Sequence, residues 1–149
     1  MSERTRGDEA QTPASTPGAD LMRQFLPTSP FVGHLGMRLV DVQPGRATLI
    51  MPFAEQLITI GTTVHGGAIA SLIDTATMVA AWSEAEVTSN PRGSTVALTV
   101  NYLAAANAED LQATASVLRR GRSLVYLDIE VRGASGALVA KGLATYKLG

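Results

Sequence analysis

The residues best suited to chemistry lie in one stretch, from His65-Gly66-Gly67 to Asp74. Two adjacent glycines at the start of a helix leave backbone N–H groups exposed with no side chain to block a ligand, a ready site for a carbonyl oxygen or an oxyanion. Asp74 is the only carboxylate between His65 and Glu84, in a segment otherwise apolar enough to be buried, and a carboxylate there needs a reason. By residue type alone it suits a reacting group, a cap for a neighbouring backbone group, or the partner of an arginine. From Gly67 to Asp74 is seven residues, a rise of about 10 Å and nearly two turns. One carbonyl carbon therefore cannot touch both groups of the same helix. If both act on one substrate, Asp74 comes from a second subunit, and a two-fold interface then carries two equivalent sites.

Other chemistries are excluded by composition. The chain has no G-x-S-x-G elbow, Walker loop or G-x-G-x-x-G turn, and no cysteine, which removes a thiolate nucleophile and a disulfide framework. With His34 and His65 the only histidines, no metal is expected. Twelve basic against thirteen acidic residues give a formal charge of -1, which leaves no electrostatic footprint for nucleic acid or an anionic membrane. The longest apolar segment, Ala68 to Trp82, is interrupted by Ser71, Asp74, Thr75 and Thr77, and falls short of the roughly 18 residues a membrane span needs. Residues 1–19 lack the apolar core of a secretory signal, so a cytoplasmic location is expected.

A length of 149 residues, 46% of them hydrophobic, suits a single domain with a real core. Residues 1–19, with Pro13, Pro17 and mixed charge, read as a flexible tail, and 20–149 as the domain. Leu21 to Leu26 reads as a short helix stopped by Pro27, with Pro30 keeping the following stretch irregular. Met37–Gln43 and Arg46–Met51 are β-prone runs joined by the turn pair Pro44-Gly45. From Gly66 to about Ala85, small and apolar residues surround the chain on nearly all sides, which predicts a buried helix. After Asn90-Pro91 the period is two: Val125, Leu127, Ile129 and Val131 alternate with Tyr126, Asp128 and Glu130. Gly93–Leu103, Leu111–Arg120, Ser123–Arg132 and Ala137–Lys147 are thus four long strands whose short links favour antiparallel neighbours. The order predicts an α+β fold with an antiparallel sheet wrapped on one long central helix.

The stretch HGGAIASLIDTATMVAA, His65 to Ala81, resembles the H-G-G-x(6)-D signature of the PaaI-like thioesterases of the hotdog superfamily. The similarity extends through FVGHLGMRLVDVQPGRATLIMPF before it and through STVALTVNYL and LRRGRSLVYLDIEV after it, so it covers the chain from about Leu21 onward. The resemblance implies the hotdog fold, paired subunits forming a homodimer or a dimer of dimers, and hydrolysis of an acyl-CoA to the free acid and CoA. CoA is then part of the substrate and no cofactor is needed. It implies that the Gly66 amide polarises the thioester carbonyl, that Gly67 permits close approach, and that Asp74 acts as nucleophile or as general base on water. His65 falls on an orienting position or a structural hydrogen bond. Thr95 matches a position where relatives hold the attacking water with a serine or threonine, and is otherwise an ordinary strand threonine. Several relatives carry an asparagine about six residues before the motif histidine, where this chain has Thr59, Ile60 and Gly61, and substrate positioning departs from theirs there.

Arg119, Arg120 and Arg122 surround a strand turn and suit bidentate contacts to the phosphates of CoA, or simply solvation. Asn90, Arg92 and Gly93 border the strand that reaches the same interface. Trp82, Met78 and Phe53 read as core, with the Phe53–Leu57 loop an alternative wall for the acyl pocket. Two rival functions fit the fold: a hydratase or dehydratase pairing a histidine with a carboxylate, and a non-catalytic acyl-CoA-binding module. His65 lies about half a rotation away from Asp74 on a helix, leaving only His34 for the first. A module that merely binds has no need of the Asp74 carboxylate.

Overall fold

A computed structural model describes residues 15–149. Eight strands and three α-helices follow one another as α1 (Pro17–Phe25), α2 (Pro30–His34), β1 (Arg38–Gln43), β2 (Arg46–Met51), β3 (Ile58–Ile60), β4 (Thr63–Val64), α3 (Gly66–Trp82), β5 (Gly93–Tyr102), β6 (Leu111–Arg120), β7 (Leu124–Gly133) and β8 (Leu138–Leu148). Six strands form one antiparallel sheet in the order β1-β2-β6-β7-β8-β5, while β3 and β4 make a separate two-stranded piece. Among the described residues no helix is long and apolar enough to cross a membrane.

The sheet curls around α3, which packs against β2, β5, β6, β7 and β8. Leu72, Ile73, Ala76, Val79 and Ala80 of the helix are fully buried, against Leu49, Leu111, Leu127, Ile129 and Val131 of the strands. Each large aliphatic side chain removed from water this way contributes about 1.5–3 kcal/mol. Small residues let the helix lie close: Ala113, Ala115 and Ala144 face it, and a Cβ on Gly142 would stand 2.8 Å from Ile73 Cγ2. The alternation expected along β7 holds, with Val125 to Val131 buried at every second position. This helix in a sheet wrapping is the hotdog arrangement.

Local signals explain most boundaries, but several features differ from expectation, the short strands β3 and β4 among them. The first helix begins at Pro17, inside the expected tail: Thr16 caps it by accepting from the Ala19 N–H at 3.1 Å, with Pro17 in the first turn. Of the tail expected over residues 1–19, residues 1–14 lie outside the described residues. Pro30 opens the short helix α2 instead of an irregular stretch, because the backbone N–H that proline lacks would have had no partner in the first turn of a helix. The central helix stops at Trp82 rather than near Ala85. The stop is tertiary: the Thr16 hydroxyl donates to the Ser83 carbonyl, and Arg120 Nη2 donates to the Ala81 carbonyl at 2.9 Å. Finally, β5 does not neighbour β6. It crosses to pair with β8 and becomes one free edge of the sheet, with β1 the other.

The docking of α1 on the end of α3 depends on Gly18, where a Cβ would lie 1.9 Å from the Trp82 carbonyl oxygen. Gly18→Ala should therefore push α1 off that surface and lower stability by about 1–3 kcal/mol in urea unfolding, where an ordinary glycine-to-alanine change in a helix would raise it.

Candidate active site

Asp74 sits on the one face of α3 that the sheet leaves open, beside the edge strand β5. In the single chain it is exposed rather than buried as its apolar helix suggested, because the sheet does not cover this face of α3. Its Oδ1 accepts from the Thr95 hydroxyl at 2.6 Å, which leaves Oδ2 open toward a groove lined by Ser71, Thr95 and Leu98. A bulge in β5 makes this contact possible. Period two would put Thr95 and Leu98 on opposite faces, but the register shift between Thr95 and Ala97 turns Thr95 inward with Leu98, Val100 and Tyr102.

At the other end of the same face, His65 is the cap of α3 and its Nδ1 accepts from the Gly67 N–H at 2.8 Å. That bond makes His65 the cap of the helix and occupies one of the two amides expected to be free. The Gly66 N–H meets no protein acceptor among the described residues and remains the helix's open donor. The Gly66 carbonyl is pinned as well, by the Tyr102 hydroxyl at 2.8 Å, and a Cβ on Gly66 would stand 3.2 Å from the Tyr102 ring. Tyr102, Gly66 and Thr59 line one cavity of about 400 Å³ below β3 and β4.

The remaining sequence candidates fall elsewhere. Arg120 turns its guanidinium onto the end of α3, to the Ala81 carbonyl and, at 3.4 Å, to Glu84 Oε2. The helix separates it from Gly66 of the same chain by about 24 Å. Arg119 and Arg122 are exposed beside it. Gly93 starts β5 against the Tyr146 ring, where a Cβ would be 2.6 Å from Tyr146 Cε1. Phe53 and Leu57 pack with the core, Leu57 fully so. His34 ends α2 and makes no hydrogen bond to Asp74 among the described residues.

Two tyrosines escaped the sequence reading. Tyr102 gave a weak signal, as the aromatic residue of an otherwise small and apolar strand end; its partner Gly66 is 36 residues away. Tyr146 stands directly opposite Thr95 in the β5–β8 register and accepts from Trp82 Nε1 at 3.2 Å. Burial, with the Asp74 charge adding to it and the Trp82 hydrogen bond opposing, holds the Tyr146 phenol above its ordinary range.

A helix sheathed by an antiparallel sheet carries a carboxylate and an unpaired helix-start amide along its open face, groups of the kind acyl transfer uses. The chain belongs to the thioesterase superfamily: the family's model matches residues 61–140. Human acyl-coenzyme A thioesterase 13 is 32% identical over 114 residues, spanning 74% of this chain and 79% of the relative. A thioesterase family protein from Silicibacter pomeroyi superposes with a TM-score of 0.81 at 28% identity, covering 88% of this chain and 97% of that one. The E. coli PaaI protein of the phenylacetic acid degradation operon shares the fold at 22% identity, with a TM-score of 0.76 over 87% of this chain and 92% of its own. The protein is a thioester hydrolase.

The Gly66–Gly67 peptide is anchored on two sides, its carbonyl by Tyr102 and its N–H by His65. Tyr102→Phe should lower kcat roughly three- to tenfold with KM and the melting temperature nearly unchanged, since it removes one hydrogen bond to a neutral acceptor.

Proposed function

We propose that the protein hydrolyses acyl-CoA thioesters to the free acid and CoA in a site shared by two copies of the chain. The observation that carries this reading is the placement of Asp74 and the Gly66 amide on one open helix face but eight residues apart. That separation is about 12 Å, too far for one carbonyl group to meet both within a chain, yet both groups border the free edge β5.

The character of that edge supports a second copy as its partner. From Gly93 to Ala108 the chain has no charged residue, and Val96, Tyr102 and Leu103 are exposed. A ten-residue edge strand without charge or proline is an aggregation hazard unless paired. Antiparallel pairing of β5 with its symmetry mate about a two-fold near Leu98 and Thr99 puts the Thr95 level of one chain against the Tyr102 level of the other. Asp74 then meets the Gly66 amide of the partner subunit, and the face bearing Asp74 becomes enclosed.

The chemistry follows from these positions. The Gly66 N–H donates to the thioester carbonyl oxygen and holds the negative charge that develops there. Asp74 Oδ2 either takes a proton from a water attacking the carbonyl carbon, or attacks that carbon itself to give an anhydride that water opens. In both routes the C–S bond breaks and CoA leaves as the thiolate, which takes up a proton. Thr95 keeps the carboxylate turned toward the substrate. Gly67 and Thr59 border the path to the helix start, and Gly93 and the arginines Arg119, Arg120 and Arg122 lie at the opposite end of α3, where phosphate contacts would come from the two exposed guanidinium groups first.

CoA release from a panel of acyl-CoA thioesters tests this directly. Asp74→Asn should lose roughly 100-fold or more in turnover with its fold and oligomeric state intact. Equal turnover by the variant, or no cleavage by the parent, would sink the proposal in favour of a binding module.

A further inference from the structure

Beyond Asp74 on the same face of α3, a cleft of about 170 Å³ lies between α1, α3 and the start of β5, bounded by Leu21, Phe25, Met78, Trp82, Pro91 and Tyr146. Met78 is one helical turn past Asp74 and Trp82 two turns past it. Tyr146 is the cross-strand partner of Thr95, which holds the carboxylate. The cleft therefore lies beside the Asp74 groove, continuing along α3 toward Trp82. Its walls are apolar and largely aromatic, and α1 closes the far side with Leu21 and Phe25.

One polar group faces this cleft. Tyr146 Oη accepts from Trp82 Nε1, and because an indole nitrogen only donates, the phenolic hydrogen remains to be given away. No acceptor for it is present among the described residues, although the residue is only 4% exposed. A buried donor without an acceptor is costly and discriminates strongly between ligands that supply one and ligands that do not.

We infer that this cleft is the acyl subsite and that it selects a compact acyl group carrying an oxygen acceptor near its far end, which the Tyr146 hydroxyl binds. The volume suits about six carbons as ring or chain, since a cavity of about 150 Å³ holds a benzene molecule. Phe25, exposed at the rim of α1, sets the length limit. The inference rests on Asp74 being the reacting carboxylate of a thioester hydrolase.

The test compares kcat/KM for hexanoyl-CoA, its penultimate-carbon oxo derivative and dodecanoyl-CoA, in the full chain and in Tyr146→Phe and Phe25→Ala. The oxo derivative should exceed hexanoyl-CoA roughly fivefold or more, and Tyr146→Phe should bring that ratio close to one. Phe25→Ala should raise dodecanoyl-CoA relative to hexanoyl-CoA by roughly tenfold; this readout decides the matter if Tyr146→Phe fails to fold. Cleavage of all three at similar rates, with ratios unmoved by either variant, overturns the acyl subsite and leaves the thioesterase reading standing. No cleavage of any thioester by the parent overturns both.

Discussion

How closely α3 can lie in the curl of the sheet decides the rest of the structure. Gly142, Ala113, Ala115 and Ala144 let the helix sink until Ile73 fills the notch left by the missing side chain of Gly142. Buried on every other side, the helix has one face left, and that face carries Ser71, Asp74 and Met78. A carboxylate could not be tolerated on the packed sides without a partner. The close packing that stabilises the fold therefore also confines the reactive groups to a single line beside β5.

Along that line the protein invests its hydrogen bonds in orientation. Thr95 uses one oxygen of Asp74 and leaves the other open. His65 and Tyr102 hold the peptide between Gly66 and Gly67 from its two ends, so the one unpaired amide points in a fixed direction. A donor held in place before the substrate arrives needs no reorganisation as charge develops, and preorganisation of this kind is worth more than the hydrogen bond alone in a site closed to water. Closure is what the single chain lacks, and in the proposed pair the uncharged edge of β5 supplies it.

Much of this was legible in the residues. The buried helix, the four long strands and the hairpin at Pro44-Gly45 follow from hydrophobic period and turn chemistry, which act locally. Asp74 and the glycine pair stood out because each broke the local pattern. What was not legible depended on tertiary contacts. The bulge that turns Thr95 inward leaves no mark in the alternation, and period two separates Thr95 from Leu98, its neighbour in the groove. The crossing of β5 to β8 reverses the expectation from short links, since the β5–β6 loop spans the sheet instead of turning back. Arg120 had the composition of a phosphate ligand, but the open carbonyls at the end of α3 claim its guanidinium. The Thr16-Pro17 start of α1 was a readable cap signal, outweighed by the polar composition around it.

The central claim is that one site takes Asp74 from one subunit and the Gly66 amide from the other. Gly66→Pro removes that N–H at the first helical position, where proline is tolerated, and Asp74→Asn removes the carboxylate. The two variants, each inactive alone, are co-expressed with different tags and the mixed dimer is purified and assayed for CoA release. Each mixed dimer holds one site with both native groups, so the account predicts recovery to roughly half the parent's activity. A mixed dimer no more active than either variant would contradict it.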